Sequence, residues 1–205
     1  MANIFFDLDG TLINSQQRLY NLFIELCPEC KMSYEEYWKI KRGRISQKEF
    51  LEKYFHYPIE RYKTFHKLWL ERIEEAERLR QDFPVKGLFD VLKELSKKHL
   101  LYIVTNRQSE ELTLKELNDL NIRHFFCGVL VTEQKKTKSQ MIKENVKYSS
   151  EDFVIGDTGE DIKTAKELGL NSVAVTWGIL SEDILKEYKP DKIVREVSEI
   201  GSYFV

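Results

Sequence analysis

Residues 4–12 have the sequence IFFDLDGTL, in which a short apolar run ends at two aspartates and a glycine. A short apolar run that ends at a turn residue is typical of a strand buried on both faces. Similar runs follow at residues 100–104, 129–131, 153–155 and 173–175, with a weaker one at 192–194. Apolar residues at helical spacing lie between these runs from residue 84 onward. This alternation predicts an α/β fold with a doubly wound parallel sheet.

The region between residues 15 and 82 departs from this alternation, because its patterns are helical. Its apolar residues from Leu19 to Leu26 share one helical face, and the spacing over residues 59–79 predicts a helix of about six turns. Two Ser-x-x-Glu pairs, beginning at Ser33 and Ser46, predict helix starts. We therefore expect an α/β core domain interrupted by a helical cap domain, with the core formed by residues 1–14 and 83–205 and the cap by residues 15–82.

The composition is that of an ordinary folded protein and argues against several functional classes. The 205 residues include 32 Lys and Arg and 34 Asp and Glu, so the formal net charge is −2. A nucleic-acid-binding protein usually has a basic excess, and no apolar window here is long enough for a membrane helix. The first residues also lack the apolar core of a signal peptide. We expect a cytoplasmic protein, a monomer or homodimer, without nucleic-acid or membrane partners.

The three cysteines are too few for a fold stabilised by disulfides. Cys27 and Cys30 have the Cys-x-x-Cys spacing of zinc and redox sites, yet no second such pair and no neighbouring histidine accompanies them. We interpret them as two ordinary thiols at the end of a helix. Trp38 and Trp69 are predicted to be core or interface rings of the cap.

Two pairs of aspartates are predicted at the carboxyl ends of parallel strands, where open α/β sheets place their sites. Asp7 and Asp9 are two residues apart in an extended chain, so their side chains point the same way, and Gly10 lets the backbone turn. Asp157 follows a later strand, and Asp161 lies one helical turn beyond it. Such oxygen ligands suit Mg²⁺. The alternatives are a solvated acidic turn and acids that complement a helix dipole.

Polar and basic residues follow two further strands. Thr105 and Asn106 offer a hydroxyl and an amide to an anionic oxygen, although the same pair also suits an ordinary strand end and turn. Lys135, Lys136 and Lys138 precede a predicted helix. One of these lysines can neutralise a phosphate and hold a carboxylate in its charged form, whereas at least two of them are expected to be solvated.

These groups follow different strands in order, so they would meet at one edge of the sheet. They supply a nucleophile, a proton donor, phosphate-binding groups and a metal site, the set that phosphoryl transfer needs. The set resembles the four motifs of the haloacid dehalogenase-like superfamily, here Asp7-x-Asp9-Gly-Thr11, Thr105-Asn106, a lysine near 138 and Gly156-Asp157-x-x-x-Asp161. The helical insertion is similar to that family's cap on a Rossmann-like core. Residues 173–193 resemble the phosphoglycolate-phosphatase-like branch.

The resemblance implies a role for each motif residue. Asp7 is the nucleophile that forms an aspartyl-phosphate, and Asp9 is the general acid and then the base that activates water. Thr105 and Asn106 bind the transferring phosphoryl group, and the motif lysine binds phosphate and Asp7. The resemblance also implies that the cofactor is Mg²⁺, held by Asp7, the carbonyl of Asp9, Asp157 and Asp161.

This chain departs from the family pattern at the lysine. The family often has Lys-Pro-x-Pro there, whereas residues 135–138 of this chain, Lys-Lys-Thr-Lys, contain no proline. Lys135 would fit the longer register with proline, whereas Lys138 stands directly at the predicted helix start. We predict that Lys138 is the site lysine. Asn14 also replaces an acid that is frequent in the first motif, and we expect this change to matter little for the chemistry.

We therefore expect a Mg²⁺-dependent phosphatase of small phosphorylated metabolites, in which the cap excludes water and selects the substrate. The basic run at residues 41–44 suggests that Arg44 contacts the leaving group of the substrate, unless the run is only a solvated helix end. Two other functions stay open. One is a phosphosugar mutase of the β-phosphoglucomutase type, which would use the same Asp7 and Asp9. The other is a non-catalytic regulatory protein that binds phosphate ligands.

Overall fold

The computed structural model describes residues 1–204 and contains a six-stranded parallel sheet. Its strands are β1 (Asn3–Phe6), β4 (Leu100–Thr105), β5 (Gly128–Val131), β6 (Phe153–Gly156), β7 (Asn171–Val175) and β8 (Lys192–Val194). Two short strands, β2 (Ile13–Asn14) and β3 (Phe83–Pro84), form a separate pair. The order in the large sheet is β5-β4-β1-β6-β7-β8. Every strand predicted from the apolar runs is present, which confirms the α/β fold.

β1 lies in the centre of the sheet, between β4 and β6, and positions the first aspartate pair. Its register pairs Phe6 with Ile103 on one side and with Ile155 on the other. Ile4, Phe5 and Phe6 are fully buried, as a strand covered on both faces requires. Because the strands of this sheet are parallel, the segments that follow β1, β4 and β6 meet at one edge.

Helices cover both faces of this sheet and form the cap. They are α1 (Gln16–Leu26), α2 (Tyr34–Lys41), α3 (Gln47–Phe55), α4 (Ile59–Arg72), α5 (Ala76–Leu79), α6 (Leu88–Leu95), α7 (Glu110–Asp119), α8 (Lys138–Asn145), α9 (Gly159–Leu168), α10 (Glu182–Glu187) and α11 (Val197–Tyr203), with a 3₁₀ turn at Arg123–Phe125. Phe6 packs on the sheet face that α6, α7 and α11 cover, and Phe5 packs on the face that α8 and α9 cover. The sheet is therefore doubly wound, as predicted.

The cap consists of α1 to α5, which lie between β2 and β3 in the chain. These two short strands pair antiparallel, Ile13 with Pro84, so the chain enters and leaves the cap side by side. The cap buries an aromatic cluster of its own around Phe23. The predicted capping boxes at Ser33 and Ser46 are present and begin α2 and α3.

The helix predicted over residues 59–79 is wrong in its last third, since α4 ends at Arg72 and the short α5 follows separately. The buried Glu74 lies in the break and turns towards the core. Its carboxylate accepts hydrogen bonds of 2.9 and 3.0 Å from the backbone N–H of Gln108 and one of 3.2 Å from that of Ser109. These tertiary contacts override the local helical pattern, which carries no information about them.

Cys27 and Cys30 lie buried in the cap as free thiols. Among residues 1–204, no helix combines the length and the apolar character needed to cross a membrane.

Candidate active site

The carboxylates that follow β1 and β6 come together at the predicted edge of the sheet. Asp7, Asp157 and Asp161 are all buried, and each offers an oxygen that lies within 4.8 Å of the others. The backbone N–H of Asp7 donates to the carbonyl of Ile155 at 2.8 Å, which holds the end of β1 against β6. Asp161 lies in the first turn of α9, and its Oδ2 accepts a hydrogen bond of 2.7 Å from the Thr158 hydroxyl.

Lys138 lies against this acid cluster. It is the first residue of α8, and its Nζ donates to Oδ1 of Asp7 and to Oδ1 of Asp161, both at 2.6 Å. Its side chain is 5% exposed. By contrast, Lys135 and Lys136 are exposed and pair with nearby surface glutamates. Of the three candidate lysines, the structure thus brings Lys138 to the acids.

Asp157 is held by groups that the sequence analysis did not identify. Its Oδ2 accepts a hydrogen bond of 2.5 Å from the backbone N–H of Ile179, and its Oδ1 accepts one of 3.2 Å from the Thr11 hydroxyl. A Cβ at Gly178 would lie 2.2 Å from Asp157 Oδ2, and a Cβ at Gly10, where φ is +82°, would lie 2.3 Å from it. Glycine is therefore required at both positions for this close approach.

Burial and mutual repulsion dominate the electrostatics of the acid cluster. Burial raises the pKa of Asp157 to about 7, and the charge of Asp161 adds to the effect. Burial likewise raises the pKa of Asp7 well above its usual range, Lys138 opposes this rise, and the two other aspartates add to it. Burial disfavours the charged form of Lys138, but Asp161 and Asp7 outweigh burial and raise its pKa. One lysine against three carboxylates leaves the cluster short of positive charge.

Asp9 has different partners, because its carboxylate accepts hydrogen bonds from two buried arginines. Arg18 of α1 donates to its Oδ1 at 2.5 Å, and Arg107 donates to Oδ2 at 2.5 Å and to Oδ1 at 2.9 Å. Burial favours the neutral form of Asp9, yet Arg107 and Arg18 together outweigh burial and hold the pKa of this carboxyl well below its usual range. Asp9 is thus an ionised carboxylate at the mouth of the site.

The two arginines extend into a buried ionic network that joins the cap to the core. Arg18 Nε donates to both oxygens of Asp82, at 3.0 and 2.9 Å, and Arg107 lies 3.3 Å from the same carboxylate. Arg107 also lies 3.1 Å from Glu116, although neither Glu116 oxygen makes a well-aligned hydrogen bond within residues 1–204. The sequence analysis missed this network. The one local signal was that Arg107 directly follows the Thr105-Asn106 motif.

Thr105 and Asn106 lie at the end of β4 and line the same cleft, whose volume is about 210 Å³. Thr105 is buried, and the Asn106 amide donates to Glu160 at 2.8 Å. Arg44 is the predicted site residue that the structure does not bring to this cleft. It is about half exposed, pairs with Glu187 at 3.3 Å and lies over the Tyr188 ring on the outer surface. Its position is set by α10, an element that local sequence does not link to the cap.

Comparisons with known proteins agree with this fold. Residues 4–175 match the family model described as haloacid dehalogenase-like hydrolase. A pyrophosphatase PpaX from Halalkalibacterium halodurans is 23% identical over 214 residues, which cover 96% of this chain and 94% of that protein. Among solved structures, one from Haemophilus somnus, described as a predicted phosphoglycolate phosphatase, matches with a TM-score of 0.77 and 20% identity over 100% of this chain and 98% of its own.

A second solved structure, the HAD-hydrolase YfnB from Bacillus subtilis described as bound to magnesium, matches with a TM-score of 0.67 and 19% identity over 98% of this chain and 97% of its own. Similarity at this level of identity shows the shared fold, whereas the family match spans most of the sequence. The chain belongs to the haloacid dehalogenase-like hydrolase family.

Proposed function

We propose that this protein is a Mg²⁺-dependent phosphatase that hydrolyses small phosphorylated metabolites through an aspartyl-phosphate on Asp7. The observation that carries the proposal is the buried cluster of Asp7, Asp157, Asp161 and Lys138 at the carboxyl edge of the sheet. The similarity to a pyrophosphatase and to a structure described as a phosphoglycolate phosphatase supports phosphate chemistry. The helical segment of residues 15–82 would then be the cap domain of this enzyme.

The donor set fits a hard divalent cation. Three carboxylate oxygens lie within 4.8 Å of one another, and buried like charges favour a cation that relieves them. Asp7, Asp157, Asp161 and the carbonyl of Asp9 would hold Mg²⁺. When bound, the ion would oppose the rise in the pKa of Asp7 and neutralise charge on the phosphoryl oxygens.

The chain's own residues account for the first half of the reaction. A carboxylate oxygen of Asp7, which Lys138 fixes at 2.6 Å, attacks phosphorus, and the bond from phosphorus to the leaving oxygen breaks. The leaving oxygen takes a proton from Asp9, which must carry that proton when the substrate binds. Arg18 and Arg107, which favour the ionised form of Asp9, make it a strong acid towards this oxygen. The Thr105 hydroxyl and the Asn106 amide bind the phosphoryl oxygens, because both residues line the cleft that holds these acids.

In the second half, Asp9 acts as the base. It takes a proton from a water molecule, the water oxygen attacks phosphorus, and the bond between phosphorus and Asp7 breaks, which releases phosphate and restores the Asp7 carboxylate. Arg18 and Arg107 favour the ionised form of Asp9 that this step needs. The buried position of Arg18 on α1 ties this base to the cap.

The test is release of phosphate from a panel of small phosphate esters with and without Mg²⁺. We expect turnover by the wild type, its loss on chelation of the metal, and a loss on the order of 10⁴-fold in Asp7→Asn. Enzyme quenched in acid during turnover should carry phosphate on Asp7. The matched control is Asp119→Asn on the exposed side of α7, which should keep full activity. Isomerisation without phosphate release, or binding without turnover, would contradict the proposal.

A further inference from the structure

A second cavity, of about 250 Å³, opens inside the cap next to the catalytic cleft. We call it the aromatic annex and define it by the five cap residues that form its walls, Tyr37, Trp38, Lys41, Gln47 and Trp69. Leu19 and Ile179 line both the annex and the cleft, so the two spaces adjoin.

The two shared residues lie directly beside catalytic groups. Ile179 donates its backbone N–H to Asp157 at 2.5 Å, and Leu19 follows Arg18, which contacts Asp9 at 2.5 Å. A molecule whose phosphoryl group lies at the acid cluster can therefore extend past these two apolar side chains into the annex. The leaving group is the part of a phosphate ester that would occupy this space.

The walls of the annex are largely aromatic, and Trp38 and Lys41 add hydrogen-bond donors to them. Trp38 and Trp69 offer ring surfaces that suit stacking against another planar ring. The Nε1–H of Trp38 is buried and has no hydrogen-bond partner within residues 1–204. Lys41 adds a cation that is half-buried and donates to the carbonyl of Ile45 at 3.0 Å. An unpaired buried donor costs free energy, which a ligand acceptor would recover.

Resting on the proposed phosphatase function, we propose that the annex binds the leaving group and selects phosphate monoesters whose alcohol part carries a planar aromatic ring with a hydrogen-bond acceptor. The ring would stack on the half-buried Trp69 indole, and its acceptor would take the Trp38 N–H. The annex, of about 250 Å³, adjoins the cleft of about 210 Å³ that would hold the phosphoryl group, and it has room for such a ring.

The test compares three substrates with the same primary alkyl leaving oxygen: ethyl phosphate, 2-phenylethyl phosphate and 2-(pyridin-4-yl)ethyl phosphate. We expect wild-type kcat/KM to rise by about tenfold from the ethyl to the phenylethyl compound and to rise again for the pyridyl compound. In Trp69→Leu, kcat/KM should not increase from ethyl phosphate to 2-phenylethyl phosphate. Trp38→Phe should keep the first rise and lose the second, because it retains a ring but lacks the N–H. Ratios measured on one preparation cancel any difference in folded fraction.

The matched control is Leu68→Ala, at an exposed position of α4, the helix that carries Trp69. This variant should show the same two increases in kcat/KM as the wild type. Equal kcat/KM for the three compounds in the wild type, or unchanged ratios in Trp69→Leu, would overturn the annex while leaving phosphatase activity intact.

A binding measurement separates the annex from catalysis. Titration of Asp7→Asn with 2-(pyridin-4-yl)ethyl phosphate should quench tryptophan fluorescence, and the quench should shrink in Asp7→Asn combined with Trp69→Leu. If no compound released phosphate but this quench appeared, the proposed function would fail and the annex would stand. If no quench appeared, the annex would fail.

Discussion

Asp7 and Asp9 are only two residues apart, yet their carboxylates have opposite surroundings. Burial and two neighbouring aspartates raise the pKa of Asp7, with Lys138 as its close cation. Arg107 and Arg18 outweigh burial at Asp9 and lower its pKa. The different surroundings suit the two different roles proposed for these aspartates. A cation bound at the acid cluster would favour the ionised Asp7 that a nucleophile needs, and the two arginines make Asp9 a strong acid.

Glu116 gives a prediction about pH and stability. Burial raises the pKa of Glu116 to about 8; Arg107 opposes this rise, and the charges of Asp9 and Asp82 add to it. Between the usual glutamate pKa and pH 8, the folded protein holds a proton that the unfolded chain has lost. The stability due to this proton is therefore fully present in acid and is lost as the pH rises through about 8.

We expect the free energy of unfolding of the wild type, relative to Glu116→Gln, to fall by a few kcal/mol in total between about pH 5 and pH 8. Urea unfolding at a series of pH values measures this difference. Glu111→Gln, at an exposed position of the same helix, is the control and should track the wild type. Parallel curves for the wild type and Glu116→Gln would show that Glu116 is ionised in the folded protein throughout.

At the scale of elements, the break between α4 and α5 connects the cap to the start of α7. Two side chains accept hydrogen bonds from backbone N–H groups at the N-terminus of α7. Ser109 Oγ accepts from the N–H of Leu112 at 3.2 Å, and Glu74 of the cap accepts from the N–H groups of Gln108 and Ser109. The loop between β4 and α7 also carries the residues that follow Thr105. One cap side chain therefore helps to position a segment of the active site.

We expect Glu74→Ala to lower the free energy of unfolding by about 1–3 kcal/mol, because it leaves half-buried N–H groups without an acceptor and removes an anion from a helix N-terminus. Urea unfolding measures the loss. The control is Glu77→Ala, an exposed glutamate of α5 paired with Arg80, which should change stability by less than about 0.5 kcal/mol. An equal loss in the two variants would refute the role of Glu74.

At the scale of the whole molecule, a buried ionic network holds the cap against the core at both joints. Arg18 lies just after the first joint and Asp82 just before the second, and they meet Arg107 and Asp9 of the core. Arg18 Nη1 also donates to the carbonyl of Ile73 at 2.8 Å. Both joints between cap and core are therefore stabilised by one set of buried charges.

We expect Arg18→Met to destabilise the protein by about 3–5 kcal/mol, since it leaves Asp82 buried without its main partner. Arg18→Met combined with Asp82→Leu should recover much of this loss, because no uncompensated charge remains. A double-mutant cycle by urea unfolding measures the coupling, and the exposed Arg80 and Glu77 pair is the control, with a coupling below about 1 kcal/mol. Simple additivity for Arg18 and Asp82 would contradict this account.

The sequence by itself determined the strands, the site edge and most of the acid cluster. Apolar runs identify buried strands, and parallel strands place their carboxyl ends together, so Asp7 and Asp157 could be expected to meet. The position of Lys138 also followed locally, because a residue at the start of a helix after a strand points to that same edge. Ser33 and Ser46 begin helices through hydrogen bonds to residues three positions away, which sequence spacing records.

Only the tertiary structure decided which distant residues contact one another. Arg18 and Arg107 are 89 positions apart and meet at Asp9, and Glu74 interrupts a helix to reach Gln108. The annex likewise joins cap rings to Ile179 of the core. Such contacts depend on how the cap packs on the sheet. Packing decides which partner lies within hydrogen-bond distance of a buried charge or donor, and that partner stabilises it. Local periodicity reports the face of an element and says nothing about the element that will cover it.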